Sequence, residues 1–143
     1  MAQSPERPTF FVDRCLGTLD VPRALRNAGA LVAVHDDHFP QGCLDEEWLC
    51  VVGRKGWAVL TKDKWIRRNE LERAALEDAK VAAFVLSAGD LSGEATGAAF
   101  VAALPKMEHI LAKWDRPLIA RVTQAGNVVV LVGQRKGGIQ RDR

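Results

Sequence analysis

No stretch of this sequence is apolar for long enough to cross a membrane, and its basic, proline-containing start, Ser4-Pro5-Glu6-Arg7-Pro8, does not have the form of a signal peptide. A cytoplasmic protein is therefore expected. Cysteine is scarce: Cys15, Cys43 and Cys50 are odd in number and form no CxxC, so free thiols in a reducing compartment are expected rather than a disulfide framework. No GxGxxG follows the first predicted strand and no Walker loop occurs, which excludes nucleotide binding by those two devices. Internal repeats and low-complexity tracts are absent. A strong charge of one sign is also missing, since a net charge of +2 does not by itself announce nucleic-acid binding.

What is present fits one ordinary globular domain: 143 residues, 48% hydrophobic and 27% charged, enough to bury a core without staples. Thr9-Phe10-Phe11-Val12 is a β-branched and aromatic run that reads as a buried strand ending at Asp13. A helix over about 21–27 follows, with Asp20 as its cap and Gly29 beyond its end. Residues 30–35 form a second apolar strand, 36–44 a polar loop, and Asp45 is expected to cap a helix ending near Gly53 or Gly56. Residues 57–61 and 81–86 read as the third and fourth strands, separated by a surface helix capped by Asn69. A long apolar-periodic segment over 92–114 contains Pro105, a kink or the start of its second half. Residues 118–123 and 128–132 flank Gln124-Ala125-Gly126-Asn127, a hairpin with glycine at a positive-φ position.

Continuous apolar strands alternating with helices predict an α/β fold, a mostly parallel sheet covered on both faces, with one antiparallel edge strand from the closing hairpin. The expected domain covers 9–132, with 1–8 and 133–143 as flexible tails.

In such a sheet the functional site lies beyond the carboxyl ends of the strands. That rule selects Asp13, the group His35-Asp36-Asp37-His38, the group Thr61-Lys62-Asp63, and Ser87 with Asp90. Asp45 and Glu46 join them only if their helix begins on the same rim. A carboxylate directly after a buried strand needs a partner, because burial and neighbouring acids both disfavour its charge. A hard divalent cation supplies one through oxygen ligands. His35 and His38 have no Cys or further His at a spacing that closes a zinc site, and read as polar loop residues. Lys62, Lys64, Arg67 and Arg68 crowd beside Asp63 and suit phosphate contacts, while Arg135, Lys136, Arg141 and Arg143 read as solvated surface. Trp48, Trp57 and Trp114 fit core faces; Trp65, among the basic residues, fits either the core or a base-stacking surface. A phosphorelay receiver also uses strand-end aspartates, but it wants an acid pair after strand one and a lysine where Arg121 stands.

Three segments together, Phe10-Phe11-Val12-Asp13, Asp45-Glu46-Glu47-Trp48-Leu49 and Val59-Leu60-Thr61-Lys62-Asp63-Lys64, resemble the PIN-like domains, relatives of VapC-type toxin ribonucleases. The resemblance implies a doubly wound sheet in the order 3-2-1-4-5 and a metal-dependent nuclease. Asp13, Asp45 and Asp63 match the family's acids, and Thr61 its accompanying hydroxyl. It implies Mg²⁺ or Mn²⁺ on Asp13, Asp45 and Asp63. A further acid, usual on a helix between the first two, is missing; Glu46, Asp36 or Asp37 can substitute, and Glu46 is favoured. RNA as substrate, a small antitoxin as partner, and the homodimerisation common in the family are implied in the same way. The alternative is a non-catalytic RNA- or partner-binding module whose acids only cap helices.

Overall fold

The computed structural model describes residues 7–62 and 70–137, without the side chains of residues 70–73. In chain order the elements are β1 (Thr9–Val12), a 3₁₀ turn (Arg14–Leu16), α1 (Asp20–Asn27), β2 (Leu31–Val34), α2 (His35–His38), α3 (Asp45–Lys55) and β3 (Ala58–Lys62). They continue with α4 (Glu70–Asp78), β4 (Ala82–Leu86), α5 (Gly93–Lys113), β5 (Trp114–Val122) and β6 (Val128–Arg135).

The six strands form one sheet in the order β2-β1-β3-β4-β5-β6, parallel throughout except for the antiparallel β5–β6 hairpin. The expected class is met, but the order 3-2-1-4-5 is not: β1 lies between β2 and β3. Between β2 and β3 the chain forms only helices, so no strand is available to extend the sheet outside β2. The next strand then crosses back and pairs on the other side of β1.

Alternation along the strands divides the interior into two cores. Phe10, Val12, Leu60, Phe84 and Ala120 face α1 and α5, where Leu25, Phe100 and Met107 complete the packing. Phe11, Val59, Ala83, Val85 and Ile119 face the opposite way, against Trp48, Leu49 and Val52 of α3 and Leu76 of α4. Phe10 and Phe11 are fully buried although adjacent, which requires a strand covered on both faces. Each such side chain contributes about 1.5–3 kcal/mol by leaving water.

Several local expectations are corrected. The polar loop after β2 opens instead with the short helix α2, closed by the Phe39 N–H donating to the His35 carbonyl at 2.9 Å. Asp45 is the first residue of α3 rather than its cap; Leu44 takes that position, and its N–H donates to Glu47 Oε1 at 3.3 Å. Pro105 does not begin a second helix: α5 runs on through it from Gly93, capped by Ser92, whose Oγ accepts from the Ala95 N–H at 3.0 Å. Strand β6 runs three residues past 132, to Arg135, whose guanidinium lies over the Trp114 ring. The proposed cap Asn69 lies outside the described residues. Helix α3 stops where expected, at Gly56 with φ +74°, and the hairpin turn places Gly126 at φ +89°.

Candidate metal and nuclease site

Because β1 to β5 are parallel, their carboxyl ends share one rim. Asp13 follows β1 directly and keeps its ladder, donating its N–H to the Leu60 carbonyl at 3.1 Å. Two residues on from Phe11, it turns toward the α3 side of the sheet. Thr61 stands two residues on from Val59 and faces the same way. The two meet: Thr61 Oγ1 donates to Asp13 Oδ2 at 2.8 Å, with Thr61 fully buried and Asp13 only 6% exposed. Helix α3 begins over this point, so Asp45 arrives close enough for its charge to act on Asp13. The sheet's alternation and the direction of α3 therefore place both acids on one rim.

The electrostatics follow from that placement. Burial is the main reason the Asp13 carboxyl is held above its ordinary range, and repulsion from Asp45 adds to it. The Thr61 hydroxyl, the Cys15 thiol and the Arg14 N–H pull the other way by hydrogen bonding to the ionised form. Asp45 is oriented by Trp48, whose buried indole Nε1 donates to Asp45 Oδ1 at 2.9 Å. One turn of helix separates the two residues, so the same side chain that fills the core also aims the acid.

Cys15 is a free thiol, and its place beside the acids goes beyond what its sequence context implies. Its sulfur sits 3.5 Å from Asp13 Oδ2 and 3.3 Å from Thr61 Oγ1. Burial first, and then the charge of Asp13, push this thiol's pKa up to about 11, so it stays protonated at neutral pH and acts as a weak donor. The only signal was its position two residues after Asp13. Arg14 and α2 form a second feature the sequence hid: Arg14 Nε pairs with Asp36 Oδ1 at 3.0 Å, and the same oxygen meets His35 Nδ1 at 3.1 Å. His35 itself is buried against Phe11, Phe39 and Trp48, so it belongs to the aromatic core rather than to the polar loop predicted for it. His38 packs its ring against Trp57.

The other candidates are placed as follows. Glu46 and Lys62 are exposed. Asp36 is engaged by Arg14. Asp63, Lys64, Trp65, Arg67 and Arg68 lie outside the described residues. Among the described residues no three acidic, histidine or cysteine side chains gather as a metal-binding group. No lysine or arginine among them pairs with Asp13. A buried carboxylate beside a second one fits a hard divalent cation in donor type and in sign. Two carboxylates suffice for an ion such as Mg²⁺, which keeps several waters and commonly takes one or two carboxylates together with substrate phosphates.

Fold and rim together define a class: a doubly wound α/β domain with paired carboxylates at the carboxyl ends of its parallel strands. The family described as PIN like domain matches residues 8–88. A protein of Mycobacterium tuberculosis named "Putative ribonuclease VapC45" is 32% identical over 126 residues, covering 85% of this chain and 91% of the relative. No solved structure matches. The chain belongs to the PIN-like domain family and is a relative of the VapC-type proteins.

Proposed function

We propose that this protein is a divalent-metal-dependent ribonuclease that hydrolyses RNA phosphodiester bonds, acting as the toxin of a toxin–antitoxin pair. The observation that carries the reading is the convergence of Asp13 and Asp45 on one rim, in a chain whose relative is named as a ribonuclease. Asp13, Asp45 and Asp63 would hold Mg²⁺ or Mn²⁺, with Glu46 as a further acid. When bound, the cation supplies Lewis acidity at the scissile phosphate and a nucleophile at neutral pH. Thr61 and Cys15 hold the Asp13 carboxylate by hydrogen bonds to Oδ2, and Trp48 holds that of Asp45. Preset acids in this form spend little entropy on the cation or on the developing charge. Lys62, Lys64, Arg67 and Arg68 grip neighbouring phosphates, giving salt-sensitive and largely sequence-blind affinity. Substrate choice follows from shape and single-strand access. A small antitoxin protein blocks the rim in the cytoplasm, with an Arg or Lys placed among the acids.

The test is cleavage of single-stranded RNA by purified protein in Mg²⁺, in Mn²⁺ and in chelator, with Mn²⁺ binding measured calorimetrically. Cation-dependent cleavage that is lost in Asp13→Asn and Asp63→Asn supports the reading. Wild-type protein that binds neither ion and cuts no RNA leaves the alternative, a non-catalytic RNA- or partner-binding module.

A further inference from the structure

At the end of the sheet away from the acids, a cleft of about 450 Å³ opens between the start of β1, the end of α3, the end of α5 and the start of β5. Four cationic side chains line it, Arg7, Lys55, Arg116 and Lys136, against one carboxylate, Glu108. Ion pairing does not explain them: the ion pairs among the described residues are those of Arg14 and His35 with Asp36. Three of the cations are nevertheless held in place. Arg116 is half-buried and donates from Nη1 to the Trp57 carbonyl at 3.2 Å. Lys55 Nζ lies 5.2 Å over the Trp57 ring, and Arg7 donates to the Gly29 carbonyl. Lys136 is exposed, and its backbone alone is anchored, the N–H donating to the Lys113 carbonyl at 2.9 Å.

Lys55 also suits the negative end of α3, but Arg7, Arg116 and Lys136 lie outside any helical last turn. A half-buried guanidinium without a carboxylate partner is costly unless an anion completes it. Arg7, Lys55 and Arg116, already pinned by carbonyls and a ring, lose little freedom when one arrives. The volume lies within the range of small-ligand sites and exceeds what a lone phosphate needs. We propose that this cleft is an anion site for a phosphate-bearing ligand of about nucleotide size, held by Arg7, Lys55, Arg116 and Lys136. The ligand is either a free nucleotide or a phosphorylated nucleotide of an RNA strand; both present the same phosphate chemistry. It is separate from the acid rim, because β1 alone spans about 13 Å between the two ends.

The site does not depend on the ribonuclease reading, and its test is run without metal. Full-length ¹⁵N-labelled protein carrying Asp13→Asn, which keeps any RNA intact, is titrated in chelator with pyrophosphate, with adenosine monophosphate and with a short single-stranded RNA. Saturable amide shifts at Thr9, Lys55 to Trp57 and Arg116 are expected with at least one probe. Response to the small probes alone identifies a free nucleotide as occupant, and response to the oligonucleotide alone identifies a strand. Adding Lys55→Glu with Lys136→Glu, both exposed, weakens binding about tenfold or more, as the loss of charge-assisted contacts requires. Arg116→Gln, which removes the guanidinium, weakens it as well. No saturable shift with any probe, or shifts of equal affinity in the charge variants, overturns the proposal.

Discussion

Replacing Thr61 by Val removes one hydroxyl from a fully buried position and leaves the side-chain shape almost unchanged. What disappears is the 2.8 Å hydrogen bond to Asp13 Oδ2, and no water-exposed route replaces it. A hydrogen bond to a charged acceptor contributes about 1.5–3 kcal/mol, and one to a neutral acceptor about 0.5–1.5 kcal/mol. The deficit of Thr61→Val in metal-free protein is therefore about 1.5–3 kcal/mol where Asp13 is ionised. It shrinks to about 0.5–1.5 kcal/mol where Asp13 is protonated. The sign follows from linkage. The folded state of the wild type already holds the Asp13 carboxyl above its ordinary range, by burial and by Asp45. Asp13 thus favours folding fully below its unfolded pKa, and that contribution is lost as pH rises through the folded value. Thr61 opposes the shift by supporting the charged form, so the variant moves the Asp13 carboxyl higher still and loses stability more steeply with rising pH. Urea unfolding of both proteins in chelator, at neutral pH and again at acid pH, measures the difference directly. Near neutrality the melting temperature should fall by about 2–4 °C per kcal/mol. A deficit of equal size at both pH values refutes the reasoning, because it would mean that the hydroxyl does not distinguish the two forms of Asp13.

Asp13→Asn should leave the metal-free melting temperature unchanged or raised at neutral pH, since it removes a buried charge and its repulsion from Asp45; the gain should vanish in acid, and a clear loss at neutrality would contradict the burial argument. Trp48→Phe keeps most of the buried ring but not the indole N–H on Asp45 Oδ1, so Mn²⁺ affinity by calorimetry should drop while far-ultraviolet circular dichroism stays native; unchanged affinity would detach Trp48 from the site. Gly53→Ala would drive a Cβ to 2.3 Å from the Ala79 carbonyl oxygen, which predicts a loss of about 1–3 kcal/mol by denaturant unfolding with no direct effect on the rim. Arg67→Ala with Arg68→Ala should weaken RNA binding across unrelated sequences and flatten the slope of log affinity against log salt by about 0.7 per lost contact; an unchanged slope returns both residues to solvated surface.

Much of this fold was legible from local chemistry. Uninterrupted apolar runs such as Phe10-Phe11-Val12 and Val81 to Leu86 demand strands covered on both faces, and Gly56 and Gly126 mark the ends of elements by the backbone geometry only glycine adopts freely. Asp13 was legible for the same reason, because a carboxylate following a buried strand cannot be indifferent to its surroundings. Position along the chain does not say which strands become neighbours. The β1–β3 pairing, which departs from the order 3-2-1-4-5, depends on what the segment between β2 and β3 forms in three dimensions. That pairing is also what brings Thr61 to Asp13 across 48 residues.

Short-range partners hide as well when the geometry is tertiary. His35 looked like a loop residue by its neighbours Asp36 and Asp37, yet the aromatic rings of Phe11, Phe39 and Trp48 enclose it. The basic cleft is the extreme case, since Arg7, Lys55, Arg116 and Lys136 share no motif and come from four separate elements or turns. The sequence by itself determined the class of fold, much of the core and the place of Asp13 at the end of its first strand, because burial and backbone geometry act on each segment alone. Which acids share a rim, which hydroxyl and thiol hold Asp13, and which cations face one another were decided by tertiary structure, because electrostatic and hydrogen-bonding partners are defined by distance in space and not along the chain.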